Sequence, residues 1–267
     1  MQVYHGKVAI ITGAGSGIGR ALAIALAKAG ARLALSDANM AGLDETVRLC
    51  GSADLRSYRL DVSQRVAAFA HAEEVLRDFG HADYLFNNAG VALAATTNHS
   101  TIEEIEWQLS INLWGVIYLS KAFLPHMLAR RSGHIVNISS VFGIVGFPCQ
   151  SAYNVSKFGV RGFTECLWLE LDGSGVQATT VHPGGIRTNI DKSARLGQHA
   201  GAEEQKIISK FSKLLSTPPE VCAADILRGV AKGRRRILTG KNARLTDILA
   251  RLLPSSYPRL LKAFIGL

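Results

Sequence analysis

Three polar residues are spaced as the members of a proton-transfer site would be. Tyr153 and Lys157 lie four positions apart in a stretch with helical periodicity, and Ser140 follows an apolar run that is typical of a strand. Residues four apart share one face of a helix, so the three side chains can converge on one carbonyl oxygen. A free tyrosine has a pKa of about 10, and proton exchange near neutrality requires lowering it by roughly two to three units, which nearby positive charges can supply. A surface pair at helical spacing, which is common, is the alternative.

A glycine-rich turn lies near the start of the chain, between a predicted strand and a predicted helix. Residues 12–19 read TGAGSGIG. The backbone amides of such a turn and of a helix N-terminus bind a diphosphate favourably. The residues expected to contact a nucleotide are Gly13, Ser16, Gly17, Ile18 and Gly19. The spacing differs from the common GxGxxG pattern, and a simple tight connection would use the same residues.

An acidic residue closes the second predicted strand. Asp37, 24 residues after Gly13, can accept hydrogen bonds from the hydroxyls of an adenosine ribose and would repel a 2′-phosphate. Neither Ala38 nor Asn39 supplies a cation for such a phosphate. We therefore expect NAD in preference to NADP, and a helix-capping role for the aspartate is the alternative.

Two further strand ends carry small or polar residues. Asn88, Ala89 and Gly90 follow the fourth predicted strand, where the backbone can approach a ring. Asp61 and Val62 follow the third, and this carboxylate can bond an adenine amino group. Each segment also fits a plain turn.

In their order along the chain, these motifs resemble those of the short-chain dehydrogenase/reductase family. The resemblance rests on TGAGSGIG at 12–19, NNAG at 87–90, Asn112, Ser140, YNVSK at 153–157 and PGGIRT at 183–188. It covers about residues 6–188, and the ordered set is far more specific than any one motif. The resemblance implies an NAD(P)-dependent oxidoreductase that interconverts a secondary alcohol and a ketone.

The resemblance also implies a role for each matching residue. Tyr153 would exchange a proton with the substrate oxygen, while Lys157 would hold the nicotinamide ribose and lower the tyrosine pKa. Ser140 would hydrogen-bond the substrate oxygen, and Asn112 would bend its helix and hold a water that links Lys157 to solvent. Ser139 is the rival for the serine role, but Ser140 has the family-like spacing of 13 residues to Tyr153.

Residues after the sixth predicted strand match positions that hold the nicotinamide carboxamide and the phosphates in similar proteins. They are Pro183, Gly184, Ile186 and Thr188. The long predicted helices 102–130 and 152–171 resemble those that pair subunits in this family, so we expect a homodimer or homotetramer. His134 and His182 match no family role and are expected to be structural.

Short apolar runs alternate with helical stretches along most of the chain. We predict strands at 8–12, 32–36, 56–60, 84–87, 135–138 and 177–182, and helices at 18–29, 41–50, 66–79, 102–130 and 152–171. Strands joined by such long crossovers are parallel, so we expect an α/β fold with a doubly wound, Rossmann-like sheet and ligand sites at the carboxyl ends of its strands. Residues 236–239 can add a seventh strand. No linker divides the 267 residues, so we expect a single domain.

Composition excludes several classes of protein. Apolar residues make up 48% of the chain and charged residues 19%, as in a typical globular protein. The chain begins without the basic and apolar regions of a secretory signal, so we expect a cytoplasmic location. The four cysteines lack the spacing of metal ligands, and we expect no metal site.

The positive charge is concentrated at the end of the chain. Residues 228–267 hold ten of the 30 lysines and arginines but only one of the 21 acidic residues, Asp247. The arginine cluster 234–236 lacks a recognition module, so we expect no nucleic-acid binding. Residues 240–267 form a basic amphipathic extension that either packs on its own subunit or lies on an anionic membrane surface. A catalytically weak, membrane-docking nucleotide binder is the alternative to an enzyme.

No motif marks the residues that would contact the substrate, so we predict them from the positions of apolar residues. Phe142, Phe147 and Cys149 lie near the catalytic residues in sequence and are expected to form pocket walls. Residues 189–215 are expected to form a lid, because apolar residues repeat there at helical spacing. These are Ile207, Ile208, Phe211, Leu214 and Leu215. Such a pocket suits a lipophilic substrate such as a lipid, a steroid-like compound or a hydrophobic cyclic alcohol, and packing of these residues on the core is the alternative.

Overall fold

Seven parallel strands form the main sheet of the protein. The computed structural model describes residues 1–188, 190, 193–212 and 215–265. Its strands are β1 Val8–Thr12, β2 Arg32–Asp37, β3 Leu55–Arg59, β4 Tyr84–Asn87, β5 Leu93–Ala94, β6 Gly133–Ile138, β7 Val176–Gly184, β8 Arg195–Leu196 and β9 Arg236–Gly240. The main sheet has the order β3-β2-β1-β4-β6-β7-β9, and every neighbouring pair is parallel. The predicted doubly wound sheet and its seventh strand are confirmed.

The strand order reverses between β1 and β4. The chain runs outward from β1 through β2 to β3, and then returns to place β4 on the other side of β1. Crevices at such a reversal open at the carboxyl ends of the strands and bind ligands in sheets of this kind. The glycine-rich turn and the segment 88–90 follow these two strands directly.

Helices cover both faces of the sheet. They are α1 Gly17–Lys28, α2 Met40–Cys50, α3 Arg65–Phe79, α4 Ile102–Leu109, α5 Gly115–Ala129, α6 Ser151–Glu170, α7 Ala202–Ser212, α8 Pro219–Ala231, α9 Ala243–Leu252 and α10 Tyr257–Ile265. Among the described residues, no helix is long and apolar enough to cross a membrane.

The central strand β1 is buried on both faces. Ala9 and Ile11 join an apolar cluster with α1 and α8, whereas Val8 and Ile10 join a second cluster with α3, α5 and α6. Alternate residues of a strand point to opposite faces, so a strand covered on both sides is apolar throughout. Burying each large aliphatic side chain contributes about 1.5–3 kcal/mol to the stability of the fold. This burial fixes the carboxyl end of β1, where the glycine-rich turn begins.

The predicted helix 102–130 is interrupted. The chain leaves α4 at Leu109, makes a π-helical turn at Ser110–Trp114 and continues as α5. A π turn inserts an extra residue into the helix and is found often at functional sites. Asn112 lies in this turn and is fully buried.

The two short strands β5 and β8 form a separate parallel pair that the sequence did not predict. Strand β8 belongs to the expected lid, 189–215. Residues 189, 191, 192, 213 and 214 lie outside the described residues, and with them the predicted lid residue Leu214. The side chains of Phe211 and of residues 263–265, together with residues 266–267, lie outside them as well.

Candidate active site

The turn after β1 requires glycine at several positions. Gly13 and Gly17 have positive φ angles of +64° and +53°, which L side chains rarely adopt. A Cβ on Gly19 would lie 2.1 Å from the carbonyl oxygen of Gly13, and a Cβ on Gly13 would lie 2.7 Å from the Cα of Ala89. The turn is therefore pressed against the segment after β4, and its backbone is open to a ligand.

The N-terminus of α1 lies at this turn. Ser16 is the N-cap residue, with extended backbone angles, and its side chain caps no helix amide. The first amides of a helix have no partner within the helix, so those from Gly17 and Ile18 onward remain available for an anion. Together with the glycine turn, they can hold a diphosphate.

Thr12 and Asn88 fasten the turn to β4. The Asn88 side-chain amide donates to the carbonyl oxygens of Thr12 at 3.0 Å and Gly13 at 3.1 Å. The Thr12 hydroxyl accepts from the backbone amides of Asn88 and Ala89, each at 3.1 Å. The side chain of Asn88 thus positions the turn, a role for which the sequence carried no signal beyond the motif itself.

The Asp37 carboxylate lies beside the turn at the end of β2. It accepts hydrogen bonds from the backbone amides of Gly15 and Asn39, each at 2.8 Å. Asn39 is the N-cap residue of α2, so Asp37 does not cap that helix. A carboxylate has about four acceptor sites, so Asp37, which lines the cleft, can accept further hydrogen bonds.

Ser140, Tyr153 and Lys157 come together as the spacing predicted. The Lys157 ammonium lies 5.5 Å from the centre of the Tyr153 ring and donates to the carbonyl oxygen of Ile138 at 3.0 Å. The Ser140 hydroxyl accepts from the amide of Phe142 at 3.1 Å, which leaves its own proton for another acceptor. All three residues line one cleft.

Burial shifts both titrating groups toward their neutral forms. It raises the pKa of Tyr153 to about 12, against a smaller lowering by the side-chain hydrogen bond with Ser140. It lowers the pKa of Lys157 to about 8. The expected low tyrosine pKa is therefore not a property of the protein chain by itself, because the loss of hydration outweighs the hydrogen bond with Ser140.

The neighbouring Ser139 is not equivalent to Ser140. Its hydroxyl donates to the backbone carbonyl of Lys157 at 2.8 Å, and the residue is only 2% exposed. This contact fixes β6 against α6. Its proton is already committed, which favours Ser140 for contact with a substrate.

Asn112 contacts the backbone of Val91 through both polar atoms. Its Oδ1 accepts from the Val91 amide at 2.8 Å, and its Nδ2 donates to the Val91 carbonyl at 2.9 Å and to the Ser156 hydroxyl at 3.3 Å. A Cβ on Gly90 would lie 3.3 Å from Asn112 Oδ1 and 3.6 Å from Lys157 Nζ. The π turn therefore positions the cleft wall beside Lys157, and the water-holding role of Asn112 stays a prediction.

The segment after β7 closes the other side of the cleft. The methyl-bearing side chain of Thr188 lies against Gly17, since a Cβ on that glycine would come within 3.2 Å of it. Pro183, Ile186 and Thr188 line the cleft, whereas Gly184 packs behind it against Val141.

The cleft has a volume of about 350 Å³ and collects most of the predicted site residues. Those that line it are Gly13, Ser16, Gly17, Ile18, Asp37, Asp61, Val62, Asn88, Ala89, Gly90, Ser140, Phe142, Tyr153, Lys157, Pro183, Ile186 and Thr188. The buried residues Gly19, Asn112 and Gly184 support it from behind. The expected lid residues Ile208 and Leu215 also line it.

Phe147 and Cys149 do not line the cleft, contrary to expectation. Phe147 stacks on Phe142 at 4.8 Å between ring centres and is not among the residues that line the cleft. Cys149 adopts a φ of 61° and is buried, and its carbonyl pairs with the amide of Ala95. Burial, with smaller contributions from Glu204 and Glu203, raises the pKa of the Cys149 thiol, which also argues against a nucleophile. Gln150 takes the position in the wall instead.

Two residues that sequence reasoning missed brace the site. Arg20 donates to the carbonyl oxygens of Gly15 at 2.6 Å and Gly42 at 3.0 Å, and these hydrogen bonds hold the glycine-rich turn against α2. Asn154, inside the YNVSK motif, donates to the carbonyls of Phe142 and Val145, each at 2.7 Å. Polar side chains that bond distant backbone groups leave no periodic signal in a sequence.

The lid segment is fastened on the side of α4. Arg195 lies 3.8 Å from the centre of the Trp107 ring, and Glu104 accepts from the amide of Gln198 at 2.8 Å. Glu204 of α7 accepts from His99 and from the Gly201 amide, and these hydrogen bonds hold the pKa of Glu204 at about 2. The segment predicted to form a lid is thus anchored beside α4.

His134 and His182 lie in strands, as expected, and bond neighbouring strand groups. Nε2 of His134 contacts the Thr179 hydroxyl at 2.7 Å, and Nδ1 of His182 contacts the Ser140 carbonyl at 3.0 Å. Burial lowers the pKa of each to about 4, so both are neutral near pH 7. Within the described part of the chain, no three His, Cys, Asp or Glu side chains are grouped so as to hold a metal ion.

Comparison with known proteins agrees with this geometry. The family model for short chain dehydrogenases matches residues 7–199. The SadH protein of Mycobacterium tuberculosis, whose name assigns it to the oxidoreductases, is 47% identical over 272 residues, covering 100% of this chain and 98% of that protein. Dehydrogenase/reductase SDR family member 7B of Mus musculus is 36% identical, covering 86% of this chain and 72% of that protein.

Two solved structures are similar as well. A short-chain dehydrogenase/reductase from Burkholderia phymatum in complex with NAD has a TM-score of 0.88 and 30% identity, covering 93% of this chain and 94% of that one. A metagenomic short-chain oxidoreductase in complex with NADP has a TM-score of 0.65 and 34% identity, covering 68% and 84%. The motifs, the sheet and these similarities agree: the chain belongs to the short-chain dehydrogenase/reductase family and is an oxidoreductase.

Proposed function

We propose that the protein interconverts a secondary alcohol and a ketone with NAD(H), with Tyr153 as general acid and base. The observation that carries this proposal is the convergence of Ser140, Tyr153 and Lys157 on one cleft that also receives the glycine turn. A proton donor and a hydrogen-bond donor at the carbonyl oxygen assist hydride transfer, and an ammonium near the proton donor favours its ionised form. The similarity to the NAD complex from Burkholderia phymatum supports the cofactor.

The residues that line the cleft suit the successive parts of a dinucleotide. Glycine at positions 13 and 19 lets the turn pack closely against the segment after β4. The turn and the start of α1 would hold the diphosphate, Asp37 the adenosine ribose, Asp61 the adenine, and Ile186 and Thr188 the nicotinamide end. When bound, the nicotinamide supplies or accepts the hydride and, in its oxidised form, adds a positive charge to the cleft.

The protein's own residues handle the proton. Ser140 donates to the substrate oxygen and orients it toward Tyr153, whose hydroxyl gives a proton during ketone reduction and takes one during alcohol oxidation. Lys157 faces the tyrosine ring, and its positive charge favours the tyrosinate. Asn112 fixes Val91 and thereby the wall beside this lysine.

The pH dependence should differ between the two directions. Because burial raises the pKa of Tyr153 to about 12, the tyrosine is protonated through neutrality, and the fraction of tyrosinate rises up to tenfold per pH unit. Alcohol oxidation should therefore accelerate from about pH 6 to about pH 8, while ketone reduction stays nearly constant. The increase should slow above about pH 8, where Lys157 loses its charge. Profiles of kcat/KM in both directions test this, and an oxidation rate that falls as pH rises would contradict it.

The Asp37 carboxylate should set the preference for NAD. In Asp37→Asn the amide oxygen can still accept from Gly15, but the negative charge is gone. The affinity for NAD should fall about 10–100-fold, the effect of losing hydrogen bonds to a charged group, while the affinity for NADP is kept or rises. Calorimetric Kd values for both cofactors measure the ratio. Asp61→Asn is the matched control, because it should weaken both cofactors alike; an unchanged ratio in Asp37→Asn would refute the assignment.

Apolar residues on the substrate side support a lipophilic substrate. The cleft there is lined by Val91, Ala92, Ala94, Phe142, Ile208 and Leu215. Aromatic and aliphatic walls with few polar groups favour ligands that bury apolar surface. A panel of long-chain and cyclic secondary alcohols is therefore the appropriate set of test substrates.

Exposed apolar side chains on α4 to α6 support the expected homo-oligomer. Trp114, Val155 and Phe158 are 48%, 55% and 42% exposed, and Ile102 is 65% exposed. Apolar residues grouped on neighbouring helices are typical of a subunit interface. We propose that these helices pair two copies of the chain.

A further inference from the structure

Helix α9 carries its apolar side outward. Its buried residues, Ala243 and Asp247, are 1% and 8% exposed. Leu245, Ile248 and Leu252 lie on the opposite side of the helix, and they are 54%, 51% and 74% exposed. A surface helix that packs only on its own chain normally has the reverse orientation.

An ion pair fixes the rotation of this helix. Asp247 accepts two hydrogen bonds from Arg236 of the edge strand β9, at 2.7 and 3.0 Å, and one from Arg251 at 3.1 Å. Turning the apolar side of α9 inward would break the largely buried bidentate pair of Asp247 and Arg236 and leave its charges unpaired. The outward apolar side is therefore built into the fold.

Exposed cations lie on α9 and on the following helix α10. Arg244, Arg259 and Lys262 are exposed, as is Leu260 of α10, which is 47% exposed. Residues 241–267 contain five lysines and arginines and one acidic residue, which is the paired Asp247. Each of the two helices thus carries both exposed apolar side chains and exposed cations.

We propose that α9 and α10 dock on an anionic lipid surface, with the leucines in the interfacial layer and the cations at the headgroups. A basic amphipathic helix that lies in the membrane plane has this combination. A second copy related by a twofold axis would bring the same cations against each other. A nucleic acid would satisfy the cations but offers no comparable apolar layer to the leucines.

The docking surface is connected to the catalytic cleft. The amide of Gly146 donates to the hydroxyl oxygen of Tyr257, the first residue of α10, at 2.9 Å. Gly146 follows closely on Phe142, which lines the cleft. Docking would therefore hold the substrate side of the cleft near the lipid, although the docking itself does not depend on the proposed reaction.

Vesicle co-sedimentation of the full chain, without substrate or cofactor, tests the proposal. The protein should bind vesicles of phosphatidylglycerol and phosphatidylcholine in equal parts, bind much less to pure phosphatidylcholine, and dissociate as salt is raised. Replacing Leu245, Ile248 and Leu252 together by serine (the leucine variant) should weaken binding at least about tenfold per residue replaced. Removing the charges by Arg244→Gln, Arg259→Gln and Lys262→Gln should cost roughly fivefold each.

The control variant replaces exposed apolar residues elsewhere. Val66 and Leu169, which are 78% and 79% exposed on α3 and α6, are changed to serine and should leave binding unchanged. Because all substituted side chains are exposed, circular dichroism and Tm should match the parent. Absence of binding to anionic vesicles, or wild-type binding by the leucine variant, would overturn the proposal. A smaller sedimentation coefficient for the leucine variant, with no vesicle binding by the parent, would assign the surface to a second copy and overturn it too.

Discussion

Replacing Tyr153 by phenylalanine should reduce the rate of hydride transfer by about 10²–10⁴-fold, the contribution typical of a positioned general acid and base. The substitution removes one oxygen and keeps the ring that meets Phe142 edge-on at 6.0 Å between centres. The affinity for NAD should change little, because the diphosphate and adenosine positions lie elsewhere in the cleft. Single-turnover measurements of NADH formation with the most reactive alcohol of the panel give the rate of this step directly.

Tyr118→Phe is the matched control for this experiment. Tyr118 lies on α5, stacks on Trp114 at 5.6 Å between ring centres and does not line the cleft. Losing its hydroxyl group should therefore not alter the rate of hydride transfer. A Tyr153→Phe protein that keeps the parent rate would refute the mechanism. NAD binding by both variants, measured by calorimetry, separates a loss of chemistry from a loss of cofactor.

Replacing Gly19 by alanine should abolish tight NAD binding and destabilise the fold. The new Cβ would lie 2.1 Å from the Gly13 carbonyl oxygen and 2.6 Å from the Asn88 side-chain amide, so the turn must move. Overpacking of this kind costs about 1–3 kcal/mol, which corresponds to a fall in Tm of roughly 2–12 °C for a chain of this size. Thermal unfolding and calorimetric titration with NAD measure the two effects.

Gly162→Ala provides the opposite result within the same fold. Gly162 lies in α6, and a Cβ there would meet nothing within 4 Å. Alanine should stabilise this helix by roughly 0.5–1 kcal/mol, because glycine loses more backbone entropy on folding. If Gly19→Ala bound NAD as tightly as the parent and kept its Tm, the close packing of the turn would not be required for the site.

The sequence predicted those parts of the site that local patterns encode. The glycine turn, Asp37 and the triad of Ser140, Tyr153 and Lys157 each follow a strand or lie on one helix face, and a parallel sheet brings such positions to one edge. The doubly wound parallel sheet followed from the same alternation of strands and helices. These inferences needed no long-range contact.

On the substrate side of the cleft, closeness in sequence to the catalytic residues did not predict which residues form the pocket wall. Cys149 lies four residues before Tyr153, yet the left-handed backbone at Cys149 and its pairing with Ala95 place it outside the cleft. The helix predicted over 102–130 is broken by a π turn, which places the buried Asn112 against Val91. Apolar periodicity continues across such a turn, so it cannot reveal the break.

By itself, the sequence predicted which residues are placed to carry chemistry, because their types and spacings resemble an ordered family pattern and suit the local geometry of strands, helices and turns. Only the tertiary structure decided how they are supported and what is left exposed. Arg20 and Asn154 bond carbonyl groups that are distant in sequence or lie in irregular loops, and no periodic pattern encodes such contacts. The sequence predicted that α9 is amphipathic, but it did not predict that the apolar side faces away from the protein. The ion pair of Asp247 with Arg236 turns the apolar side of α9 outward. Leaving a buried charge unpaired costs more free energy than leaving an apolar side chain exposed.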